Sequence, residues 1–182
     1  MKFFRDKLYE DITIPAPPKD DIVEAAEVKR LIANRTAEQE KSIADHDEVP
    51  FYAIKKYCDD NKMMFHKDEF KDIIYGATDT INYFKDKFDR KRPIEVDKTL
   101  DTSPSKTNKT PSYPSGHAAQ SRIVARYVAG KFPEHEANLI EAGNECGYGR
   151  VLAGFHYPSD YEAGNLLGEK MYKLMSKENY IK

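Results

Sequence analysis

The sequence predicts an all-α fold in a single domain, on three observations. Between Lys67 and about Arg90, the residues Phe70, Ile73, Ile74, Ala77, Ile81, Phe84 and Phe88 trace one face at about 3.6 residues per turn. No alternating strand pattern of useful length and no internal repeat interrupts the chain. Its 182 residues suit one hydrophobic core, because compact domains cluster near ~100–150 residues and rarely split below ~250.

The elements follow in order. Pro15, Pro17 and Pro18 predict an extended N-terminal arm over residues 1–19, ahead of one helical domain over 20–182. Asp20 or Asp21 offers an N-cap for a helix running to about Ala44. Pro50 opens a short helix through Phe51, Ile54 and Tyr57. The 67–90 helix must end near Arg92, because Pro93 disfavours helical backbone before it. Residues 94–113 are rich in Lys, Thr, Ser and Pro and read as a long surface loop. Three helices complete the bundle: about Gly116 to Lys131, with Ala119, Ile123, Tyr127 and Val128 inward; about Glu134 to Val151; and about Pro158 to Met175.

Composition excludes several classes. The 29 Lys+Arg against 31 Asp+Glu leave a net charge of −2, with a pI near 6.2, so no electrostatic case exists for nucleic-acid binding. A mean hydropathy of −0.76 and 33% charged residues predict a soluble protein. No stretch approaches the ~20 apolar residues of a membrane span. A 40% hydrophobic content with 12 Tyr and 9 Phe argues against disorder. Cys58 and Cys146 are too few for a disulfide framework or, by themselves, a four-ligand zinc site, and read as two small buried thiols or one bridge. The opening MKFFRDKLYEDITIP has neither an apolar signal core nor a cleavage site. The chain as written therefore reads as cytoplasmic, or periplasmic where a signal peptide has been removed.

The informative residues are charges on core-facing stripes, since burying an unpaired charge costs several kcal/mol. Lys85 lies about 60° from Phe70 and Phe88 on the helical wheel, and Arg92 follows two turns later at ~20° from it. On a continuous helix the two point into one site about 10 Å apart. Ser115 is a natural N-cap for the helix that starts at Gly116 and His117, and the free N–H groups of such a first turn suit an anion. Leu139, Gly143, Cys146, Gly147 and Arg150 share one face, so Arg150 needs an anionic partner from the protein or from a ligand. Asp160 shares a face with Gly164, Leu167, Gly168, Met171, Leu174 and Met175, and can accept from His156 Nδ1–H four residues earlier. Taken singly, each has an ordinary reading: a solvated basic run for KDKFDRKR, a capped helix start, a structural ion pair, a core histidine. Together, three cations, two imidazoles and an orienting carboxylate suit a phosphoryl group.

Lys85-x6-Arg92-Pro93, Pro114-Ser115-Gly116-His117 and Arg150-x3-Gly154-x-His156-x2-Ser159-Asp160 resemble the three signature segments of the type 2 phosphatidic acid phosphatase superfamily. Within it, the wording Ser112 to His117, the proline cluster and the Arg35-Thr36-Ala37 stretch look most like the bacterial class A non-specific acid phosphatases. The similarity covers about residues 15–175 with motif order preserved. It implies the helical fold of the acid phosphatases and vanadium haloperoxidases. It also implies a metal-independent phosphomonoesterase with no cofactor, acting on small soluble phosphate esters and inhibited by vanadate, and it allows a homodimer. His156 would be the nucleophile, Asp160 its orienting partner and His117 the acid and then base. Lys85, Arg92, Ser115, Gly116 and Arg150 would hold the phosphate. The opposed needs of the two imidazoles, one protonated and one neutral, imply a bell-shaped pH profile on the acidic side. Gly149 departs from the pattern: the family usually has Ser there, which the resemblance makes a phosphate contact. The family's secreted members carry a signal peptide, a pattern not expected from the opening residues as written.

Three rival readings stay beside this one. A vanadium-dependent haloperoxidase resembles the same motif set, but such proteins are much longer and this chain has no Trp. An integral lipid phosphatase would need membrane spans. A non-catalytic helical module binding phosphorylated ligands would not need two histidines and an orienting carboxylate. The loop lysines Lys98, Lys106 and Lys109 are expected near the pocket mouth. Tyr113, Tyr148 and Tyr157 flank the motifs and either stack on a leaving group or fill the core or rim.

Overall fold

The structure, a computed structural model, describes residues 3–65 and 67–175. Residues 176–182, at the end of the expected domain, lie outside these. The described residues contain eight α-helices and two 3-10 turns and no strand. The helices are α1 (Asp21–Ala33), α2 (Ala37–His46), α3 (Tyr52–Asp60), α4 (Lys67–Phe88), α5 (Pro93–Val96), α6 (Gly116–Lys131), α7 (Glu136–Leu152) and α8 (Pro158–Lys173).

The opening segment is more than an extended arm. Leu8–Asp11 forms a 3-10 turn, and Phe3, Phe4, Leu8 and Ile12 are buried in the main core. The single helix expected to reach Ala44 is two. The chain breaks after Ala33, and Thr36 restarts it with a capping box: its hydroxyl accepts from the Gln39 N–H at 3.2 Å, and the Gln39 side chain accepts from the Thr36 N–H at 2.9 Å. Helix α4 stops at Phe88, four residues before Arg92, because Asp89 adopts left-handed backbone (φ 42°). Lys85 and Arg92 therefore do not share a helix. Arg92 is instead the N-cap of α5, whose first residue is Pro93.

Helix α6 is the axis of the molecule and packs on α4, α7 and α8. It is rich in small residues, and Ala118, Ala119, Ser121, Ile123, Val124, Ala125, Tyr127, Val128 and Ala129 are all buried. Its neighbours approach closely at glycines. A Cβ on Gly164 of α8 would fall 2.5 Å from the Ser115 carbonyl oxygen, and one on Gly147 of α7 would fall 3.0 Å from the Ala118 Cβ. The main core joins the N-terminal segment, α3, α4 and α6 to Leu139 of α7 and to Leu167 and Met171 of α8. A smaller cluster seats α1 (Ala25, Val28, Ile32) on Leu100, Val151 and Tyr157. Leu174 falls just past α8 and is exposed, whereas Met175 is buried. Cys58 and Cys146 are both free and buried.

Candidate active site

One side of α4 from Lys71 to Lys85, the first turns of α6, Arg150 near the end of α7, His156 just ahead of α8, and segments within 47–51 and 107–110 line a cavity of about 400 Å³. Lys85, Arg92, Gly116, His117, Arg150 and His156 all line it. Asp160 stands behind His156, and Ser115 does not line the cavity.

His156 is buried in the turn between α7 and α8, two residues ahead of Pro158. Its Nδ1 lies 3.2 Å from Asp160 Oδ2, and its Nε2 lies 3.4 Å from Arg92 Nη1. A carboxylate can only accept and a guanidinium can only donate. The proton is thus assigned to Nδ1 and the lone pair to Nε2, which faces the cavity. Burial, then the nearby Arg92, Lys85 and Arg150, hold the His156 pKa well below its ordinary value, so the ring is neutral. The carboxylate behind it is held on both oxygens. Oδ2 also accepts from the Ser112 hydroxyl at 2.5 Å and the Tyr157 N–H at 3.0 Å. Oδ1 accepts from Arg90 at 2.6 Å.

Lys85 and Arg92 are buried cations that hold main-chain oxygens and no carboxylate among the described residues. Lys85 Nζ donates to the Pro111 carbonyl at 2.5 Å, and Arg92 donates to the Thr110 and Phe155 carbonyls at 2.8 Å each. Burial and the neighbouring Arg92 lower the Lys85 pKa to about 7. Arg150 differs. Its Nη1 donates to Asp47 Oδ1 at 2.9 Å, and its Nη2 reaches Ser105 Oγ and Thr107 Oγ1. Its Nε is buried and has no hydrogen-bond partner among the described residues. Asp47 also accepts from Ser105 Oγ at 2.5 Å and the Lys106 N–H at 2.9 Å. Burial would raise its pKa, but these hydrogen bonds and Arg150 outweigh that and hold it at about 2. The Asp47 main-chain oxygen accepts from His117 Nε2 at 3.0 Å. Burial and Arg150 press the His117 pKa down to about 3.

Ser115 is the N-cap of α6. Its hydroxyl accepts from the Ala118 N–H at 3.4 Å, and its own N–H donates to the Asp160 carbonyl at 2.9 Å. Gly149 faces away from the cavity, where a Cβ would meet only Ile43 Cγ1 at 3.7 Å, so a serine at this position would not point at the cavity. The tyrosines singled out from the sequence do not line the cavity either. Tyr113 is buried and donates to the Pro15 carbonyl, Tyr157 lies under Arg90, and Tyr148 packs edge-on against Tyr161 in a second groove. The aromatic ring on the mouth is Tyr75 of α4, 73% exposed, one turn from Thr78 and two from Asn82. Of the 94–113 loop, Thr107, Asn108 and Thr110 line the cavity, and Lys106 pairs with Glu48, which also lines it.

Sequence reasoning missed Arg90 and Asp47. Arg90 is legible only once α4 is known to end at Phe88: past that point Arg90 and Arg92 are buried and Lys91 between them is exposed. Asp47 carried no signal, because its partners lie 58 to 103 residues away.

An all-helical body that gathers buried cations around two neutral imidazoles is a built anion site on a helical bundle. The chain belongs to the PAP2 superfamily, whose family model matches residues 73–177. It is similar to an acid phosphatase of Zymomonas mobilis, 35% identical over 92 residues, which are 49% of this chain and 35% of that relative. It is also similar to a non-specific acid phosphatase of Salmonella typhi, 42% identical over 57 residues, 31% of this chain and 23% of that one. The matched stretches thus span about a third or less of these relatives' length. In fold it is similar to a transmembrane PAP2-type phosphatidylglycerolphosphate phosphatase of Bacillus subtilis, with a TM-score of 0.60 at 16% identity over 88% of this chain and 86% of that one. No helix among the described residues of this chain is long and apolar enough to cross a membrane.

Proposed function

We propose that the chain is a metal-independent phosphomonoesterase that hydrolyses small soluble phosphate esters through a phosphohistidine intermediate. The observation that carries this reading is His156 Nε2 beside Arg92 at a cavity where the side chains of Lys85 and Arg92 and the Nε of Arg150 meet no carboxylate among the described residues.

In the first half-reaction Nε2 attacks phosphorus in line. The N–P bond forms as the P–O bond to the leaving group breaks, and His117 gives its proton to the departing oxygen. In the second, His117 takes a proton from water, whose oxygen attacks phosphorus and releases His156 and inorganic phosphate. Asp160 keeps the ring oriented and offsets the positive charge that the N–P bond places on it. Lys85, Arg92, Arg150 and the Gly116 N–H hold the equatorial oxygens, with Ser115 ordering the first turn of α6. Burial and Arg150 hold His117 neutral. A bound phosphate dianion, by offsetting Arg150 and its fellow cations, raises its proton affinity and readies it as the acid. Tyr75, Thr78 and Asn82 lie where the ester's organic group would leave the cavity; nucleotides, sugar phosphates and aryl phosphates share the phosphate that the cradle grips.

The test is turnover of para-nitrophenyl phosphate in EDTA, with acid-labile phosphoenzyme trapped by rapid quench. The wild-type protein should turn over and trap phosphate on His156. H156A should trap none and lose several orders of magnitude in kcat. Near-normal turnover by H156A, or strict dependence on a divalent ion, overturns the reading.

A further inference from the structure

Arg90 lies outside the cavity, yet its side chain is only 2% exposed and every nitrogen of it is engaged. Nε donates to Asp21 Oδ1 at 2.9 Å and Nη2 to Glu24 Oε2 at 2.6 Å. Nη1 donates to Ser159 Oγ at 2.7 Å and to Asp160 Oδ1 at 2.6 Å. The guanidinium lies 3.9 Å from the centre of the Tyr157 ring, which fixes its plane. Three carboxylates thus converge on one cation. Two of them belong to the first turn of α1, and the third is the carboxylate that holds the His156 ring.

The division of labour on Asp160 is the telling feature. Three donors, His156 Nδ1, Ser112 Oγ and the Tyr157 N–H, crowd Oδ2, and Arg90 alone takes Oδ1. A buried carboxylate held by one oxygen can still swing about its Cβ–Cγ bond. Held at the far oxygen by a planar fork, it cannot. The fork is itself clamped by Asp21 and Glu24, and Glu24 in turn accepts from the Ser159 N–H at 3.0 Å and the Ser159 hydroxyl at 2.6 Å. The first turn of α1 is thereby hydrogen-bonded to the first turn of α8, two residues from the proposed nucleophile.

We propose that Arg90 is a positioning residue for phosphoryl transfer: acting through Asp160, and clamped by Asp21 and Glu24, it fixes the carboxylate that aims His156 Nε2 into the cavity. The inference rests on the reading of His156 as nucleophile. It requires that loss of Arg90 slow formation of the N–P bond while leaving phosphate binding intact, since Lys85, Arg92 and Arg150 do not depend on Arg90 for any hydrogen bond.

The experiment measures kcat, KM and phosphoenzyme formation with para-nitrophenyl phosphate for the wild type, R90Q, R90K and E24Q, with folding checked by circular dichroism. R90Q should lose roughly 10–100-fold in kcat and in the rate of phosphoenzyme formation, the range found when an outer-shell partner of an oriented ligand is removed. KM should stay within about twofold. R90K keeps the charge without the fork and should fall between R90Q and the wild type. E24Q leaves Arg90 in place with a weaker clamp and should fall there too. A folded R90Q with wild-type kcat overturns the inference, as does a rise in KM that accounts for the whole loss. Should R90Q fail to fold, R90K and E24Q decide by the same split. The two failures separate cleanly. If H156A keeps its activity, the nucleophile reading itself has failed. If the wild type traps phosphate on His156 and R90Q still turns over normally, only the role of Arg90 has failed.

Discussion

Lys85 shows how a buried cation becomes useful. It is 4% exposed, and burial together with Arg92 makes its charged form expensive, so its pKa falls to about 7. A bound dianion reverses that preference. Binding above pH 7 must therefore take up a proton on Lys85, and affinity must fall as pH rises. For one linked proton the limit is a tenfold loss per pH unit, on the scale where one unit is about 1.4 kcal/mol. The prediction is that Ki for inorganic phosphate rises between pH 7 and 8.5 more steeply in the wild type than in K85M. Using the pair removes the titration of phosphate itself, and parallel profiles would refute the assignment. Residues of this kind were legible in the sequence because charge on a core-facing stripe is anomalous. Lys85, Arg92 and Arg150 were found that way, His117 by the capped helix start it belongs to and His156 by its spacing from Asp160, and all five line one cavity. Asp47 was not, because a carboxylate in the run DHDEVP just past α2 looks solvated until residues 105–107 and Arg150 close over it.

At the scale of elements, periodicity located the helices well and their ends poorly. The α1–α2 break was written in Thr36-x-x-Gln39, but the apolar pattern on either side of it masks the restart. The early end of α4 depends on one left-handed residue, Asp89, which no local pattern announces. Close approach of helices rests on glycines. Gly164 and Gly168 sit where α8 crosses α6, and a Cβ at Gly164 would overlap the Ser115 carbonyl oxygen at 2.5 Å. Backbone cannot step aside as a flexible side chain does, so G164A should push α8 away from α6. Overpacking of this kind costs about 1–3 kcal/mol. The displaced end is also the one that carries His156 and Asp160, so kcat should fall with stability. Chemical denaturation and turnover measured on the same preparation test this. An unchanged midpoint would mean that α6 and α8 do not pack as described.

The whole molecule has no separate scaffold and site. The buried face of α6 that builds the main core, from Ala119 to Ala129, belongs to the same helix whose first turn presents Gly116 and His117 to the cavity. That core reaches back to the beginning of the chain. Phe3 is 1% exposed and meets Tyr127 edge-to-face with ring centres 5.5 Å apart, a contact across 124 residues. A sequence pattern cannot reveal such a contact, because neither Phe3 nor the short segment around it has a period to read. Its consequence is cooperative unfolding. Truncating a buried phenylalanine costs about 3–5 kcal/mol, a large part of the ~5–15 kcal/mol that holds a domain together. F3A should therefore lower the midpoint of the entire transition. Loss of helical signal and loss of para-nitrophenyl phosphate turnover should move together on heating, because the far end of α6 cannot melt while its first turn keeps His117 in place. If F3A lowered the helical midpoint while turnover kept its wild-type thermal profile, the cavity would be stable without the core beneath it. The single cooperative unit inferred from α6 would then be wrong.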